Sequence, residues 1–91
     1  MDEQNLERWE KLVERFKPGL PEVLPWDARR LEARYSGASH GQKCIIQFLL
    51  NVWNPDAEWA CGRFDVIEAI RIWDERYREV FLAWAAVPWW P

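Results

Sequence analysis

His40 and Cys44 stand four residues apart, the spacing that places two side chains on one face of a helix. A thiol within hydrogen-bond range of an imidazole is the minimum for a thiolate nucleophile. Two things count against that use. Cys44 lies beyond the first helical turn, where a helix N-terminus lowers a thiol pKa most, and no signature of a cysteine-nucleophile family surrounds the pair. The simpler reading is a small buried hydrophobe in an apolar helix, with His40 a polar residue of the first turn. An enzyme would need a concave pocket joining the two. A zinc site would have to combine His40, Cys44, Cys61 and one carboxylate. Structural zinc takes four ligands in paired short spacings, whereas this chain has one histidine and no Cys-x-x-Cys. The glycines of Ser-Gly-Ala-Ser-His-Gly at 36–41 lack a P-loop lysine. Glu68, Asp74, Glu75 and Glu79 read as a solvated face, with Asp74–Arg78 and Arg71–Glu75 as i,i+4 pairs. No catalysis, cofactor or metal is therefore expected.

Tryptophan is the other unusual chemistry, with eight in 91 residues. Indoles fill cores at low entropic cost and are enriched at binding hot spots. Trp9, Trp53, Trp73 and Trp84 fall on apolar stripes, so each is expected in the core. Trp26 follows Pro25 at a helix start. Trp59 and the paired Trp89 and Trp90 of Pro-Trp-Trp-Pro have no periodic position. Three uses are open to them: the tail folds back and seals the bundle, or some rings remain exposed and anchor a partner within a charged rim, or, ranked last because the tail has no adjacent Lys or Arg, they insert at a membrane interface. On the second use the contact residues are Trp59, Arg63, Trp89 and Trp90, with Asp74 and Glu75. If that partner normally grips nucleic acid, Asp74 and Glu75, with Glu58 and Glu79, could mimic phosphates, although nearby arginines interrupt the acidic run.

These side chains must be held by helices. Leu6, Trp9, Val13 and Phe16 recur at helical spacing, predicting a helix over 3–16 with Glu7 and Lys11 paired on its polar side. Lys-Pro-Gly stops it. Three prolines then stiffen residues 18–25, and a short helix is predicted over 26–35. Ser39 and Gln42 form a capping-box pattern before an apolar helix over 40–53, the expected centre of the bundle. Residues 55–64 read as a loop, with room for one helical turn over 56–60. Asp65 caps a last helix whose stripe is Val66, Ile70, Trp73, Tyr77, Val80, Trp84 and Val87. Asp74 could cap a fresh helix, but the stripe keeps its phase there, so one continuous helix is expected. The fold class is all-α: a single domain, a compact bundle of about four helices with a Pro-rich linker and an aromatic tail.

The net charge of −3, with basic and acidic residues interleaved, argues against direct nucleic-acid binding. No apolar run is long enough for a membrane span. The polar start Met-Asp-Glu-Gln-Asn lacks the core of a signal peptide, so a cytoplasmic location with reduced thiols is expected, which disfavours a Cys44–Cys61 disulfide.

Phe-Leu-Leu-Asn-Val-Trp at 48–53, Gly-Arg-Phe-Asp at 62–65, Phe-Leu-Ala-Trp-Ala at 81–85 and the Pro-Trp-Trp-Pro at 88–91 resemble small proteins of bacteria, their phages and mobile elements. The resemblance covers the C-terminal half. It implies a small acidic protein that binds and blocks a host defence complex, anti-CRISPR proteins being one such class. The expected function is stoichiometric protein binding without catalysis. The alternatives are a homo-oligomeric structural protein and, less favoured, a Cys–His enzyme.

Overall fold

The computed structural model describes residues 2–91. Among them are five α-helices and no strand: α1 (Glu3–Glu14), α2 (Ala28–Arg34), α3 (His40–Trp53), α4 (Val66–Ile72) and α5 (Glu75–Ala86). Single 3₁₀ turns occupy Pro21–Val23 and Tyr35–Gly37.

Local capping chemistry sets most helix starts. Asp2, Asp27, Asp65 and Asp74 each accept a hydrogen bond from a backbone N–H three residues on, satisfying a donor that the first turn leaves free. Ser39 and Gln42 form the full capping box, and α3 spans the predicted range. Gln42 also donates to the Gly19 carbonyl at 3.0 Å, pinning the segment after α1 to the start of α3.

The other helices wrap α3, whose Cys44, Ile45, Ile46, Phe48, Leu49, Leu50 and Val52 are buried. Trp9 packs on Trp53 and Phe16 on Phe48, so α1 runs antiparallel to α3. Trp26 meets Trp53 and Arg34 reaches Gln42, so α2 does the same. The chain after α3 returns along it: Asn51 donates to the Gly62 carbonyl and Gln47 to that of Cys61, both at 2.9 Å. Gly62 makes this bend at φ 76°, a left-handed conformation that a side chain would strain. α5 then follows α3 in the same direction, with Trp73 beside Gly41 and Phe81 and Trp84 against Phe48.

The expected continuous C-terminal helix is in fact two, which raises the helix count to five. Trp73 adopts an extended backbone (φ −69°, ψ 146°), and Asp74 caps α5 through the Tyr77 N–H. Three interactions favour the break. The Asp74 carboxylate competes with helix continuation. Arg78 Nη1 donates to the Trp73 carbonyl at 2.8 Å, satisfying an acceptor that the break frees. The Trp73 indole turns inward and donates to Gly41 O at 3.1 Å. The stripe fails in α4 but holds through Trp73, Tyr77, Val80 and Trp84, which are buried or packed on the core. Ala69 is the buried residue of α4 while Val66 and Ile70 are exposed, and Val80 and Phe81 are the buried residues of α5. The predicted ion pairs re-sort too: Arg71 takes Glu68 in place of Glu75, and Arg78 takes the Trp73 carbonyl in place of Asp74. The loop over 55–64 contains turns but no helical segment.

Candidate functional site

His40 and Cys44 do line one pocket, a cavity of about 520 Å³ between α3 and α4. Within it His40 pairs with an acid. His40 Nε2 lies 2.7 Å from Glu68 Oε1, and Arg71 holds the same oxygen at 2.7 Å. Burial pushes the Cys44 thiol above its ordinary range, and the charges of Glu68 and Asp65 push it the same way. A nucleophilic cysteine needs the opposite shift. Cys61 is likewise buried, its thiol raised mainly by burial. Both thiols are free, and among the described residues no three His, Cys, Asp or Glu side chains converge as metal ligands would.

The sequence-predicted contact residues fall into three groups. Trp59 and Arg63 line a small cavity beside Asn51. The Trp59 indole donates to Asn54 O at 3.1 Å, and Arg63 donates to Pro55 O at 2.7 Å. Both side chains therefore tie down the loop. Asp74 and Glu75 begin α5, whereas Trp89 and Trp90 follow its other end, roughly 17 Å away at 1.5 Å per residue.

The tail folds back. Trp89 is half-buried edge-on against Trp9, and the Arg8 guanidinium lies 3.9 Å from the centre of its ring. Trp84 Nε1 donates to the Trp89 carbonyl at 2.9 Å, fixing the turn after α5. Trp90 sits edge-on to Trp84 and stays 53% exposed, whereas the other seven indoles are buried or half-buried. Val87, the residue that ends α5, is 73% exposed.

Val87, Trp84 and Trp89 line a groove of about 340 Å³ between α1 and α5. Arg8, Lys11 and Arg15 line its α1 side, and Val80, Ala83 and Val87 its α5 side. The three cations are exposed and make no ion pair among the described residues. The predicted Glu7–Lys11 pair does not form. Sequence reading assigned Lys11 to that pair, and so missed the groove. The signal was present in the spacing of 8, 11 and 15, which share one helical face. Membrane spanning is a separate matter: among the described residues no helix is long and apolar enough to cross a bilayer. Set against known proteins, the chain matches no family model, no curated protein and no solved structure.

Proposed function

We propose that this chain is a non-catalytic protein-binding module that docks through the surface formed by α1, α5 and the aromatic tail. One observation carries the reading: exposed Val87 and half-buried Trp84 and Trp89 line a groove whose three cations make no ion pair among the described residues, and exposed Trp90 packs on Trp84. An indole left in water at the edge of a groove is the arrangement found at interface anchors. Inhibition of a host defence complex is the specific role that the resemblance of the C-terminal half implies for such a module. The test pairs Trp90→Ala and Val87→Ser variants with affinity capture, then reconstitution of the purified pair. Loss of a one-to-one complex with helicity unchanged supports the proposal. Capture that ignores both substitutions refutes it for this surface.

Self-association is a second reading, and α4 supplies its observation. Ile67 is 76% exposed, with Val66 and Ile70 exposed on the same short helix. A symmetry mate could cover this patch. Light scattering at high concentration separates the readings: a monomer removes the oligomer, and a dimer abolished by Ile67→Lys establishes it.

A further inference from the structure

Resting on the docking role proposed above, we infer that the α1–α5 groove receives an acidic amphipathic helix of a protein partner. Its apolar stripe lies on Ala83, Trp84 and Val87, and its carboxylates face Arg8, Lys11 and Arg15. Charge is the first argument. Among the described residues those three cations make no ion pair, and in a chain of net charge −3 the groove lining holds three positive side chains and no acidic one. The facing wall carries no charge, and Ala83 is small enough to leave the groove open at its middle.

Shape is the second argument. Both walls are helices. From Arg8 to Arg15, and again from Val80 to Val87, the groove runs about 10 Å, or two helical turns. An amphipathic helix presents anchors at i, i+3, i+4 and i+7 over that length. Single-stranded nucleic acid fits less well. It needs aromatic platforms beside its phosphates. Here two indoles line the groove, but neither is a free platform: the guanidinium of Arg8 already covers the Trp89 ring, and Trp84 is packed edge-on between Phe48 and Trp90.

The experiment uses the full chain and three synthetic helical peptides of about 15 residues, roughly four turns. All share one leucine stripe; the flanking positions are Glu, Gln or Lys. Affinity is measured at low and high salt, with the Trp84 and Trp89 indole N–H resonances as the location readout. The Glu peptide is expected to shift both resonances and to bind about tenfold more tightly than the Gln peptide, the size expected of three modest ion pairs. Salt should shrink that ratio, and Lys11→Glu with Arg15→Glu should reverse the order of the Glu and Lys peptides. Equal binding of all three peptides would overturn the acidic preference and leave the docking role intact. Failure of every peptide, while a captured partner still depends on Trp90, would overturn the helix and again leave that role. An oligothymidylate strand or a phosphatidylserine vesicle that displaces the Glu peptide at lower concentration would overturn the choice of a protein.

Discussion

Trp9 and Trp73 are both withdrawn from water, at 0% and 3% exposure, yet their indole nitrogens differ. Trp73 Nε1 donates to Gly41 O, whereas Trp9 Nε1 is buried without an acceptor. Changing each to Phe isolates that difference. Both substitutions delete the same part of a ring, a loss of about 2 kcal/mol on the scale of large-to-small core changes. Trp73→Phe also loses a hydrogen bond, adding about 1 kcal/mol. Trp9→Phe removes an unsatisfied donor, regaining about 1–3 kcal/mol. The expected outcome is a near-neutral Trp9→Phe and a Trp73→Phe destabilised by about 3 kcal/mol. In urea denaturation with a slope near 1.5 kcal/mol/M, the midpoints should differ by about 2 M. Each ring sits among other aromatics, so lost ring contacts largely cancel in the comparison. Equal midpoints, or a Trp9→Phe that is the worse of the two, would refute the reasoning that the Trp9 nitrogen is an energetic burden.

Asp74→Ala removes the cap that starts α5 and should cost about 1 kcal/mol, seen as a thermal midpoint lower by about 4–8 °C. Gly19→Ala places a Cβ 2.6 Å from Tyr77 Oη and 3.3 Å from Ile45 Cδ1, and should cost about 1–3 kcal/mol. Adding Tyr77→Phe removes the nearest atom and should recover part of that loss, measured as a coupling in a double-mutant denaturation cycle. Cys44 and Cys61, buried and with raised thiol pKa values, should resist iodoacetamide in the native state and react after denaturation. Glu22 is held below the ordinary carboxylate range, first by a backbone hydrogen bond and then by Arg34 Nε at 2.6 Å. Its contribution is present above the unfolded carboxylate pKa and is lost as pH falls through the lower native one. Glu22→Gln should therefore destabilise at pH 7, and the gap in denaturation midpoint should close by about pH 2.

The parts of the fold written locally were legible. Ser39 and Gln42 announced α3 because both halves of the capping box lie within one turn, and Asp65 announced α4 in the same way. The break at Trp73 was harder, because stripe and cap gave opposite answers. The cap prevails where the Trp73 indole reaches Gly41, a contact from the other end of α3 that no local pattern displays. Trp89 lacked a position for a similar reason: its partners Arg8 and Trp9 lie on the first helix. For the groove, the cation spacing was readable, but the absence of carboxylate partners depends on how α1 and α5 are set side by side.

The box formed by Trp9, Trp26, Trp53 and Trp89 ties the first helix to the middle and the tail of the chain. Helical proteins generally fold fast because their contacts are short in sequence. Here the loop entropy of joining distant segments must be met before the box can form. A nascent chain emerging from the ribosome would keep part of the Trp9 face uncovered until the Trp89 segment arrives, 80 residues after Trp9.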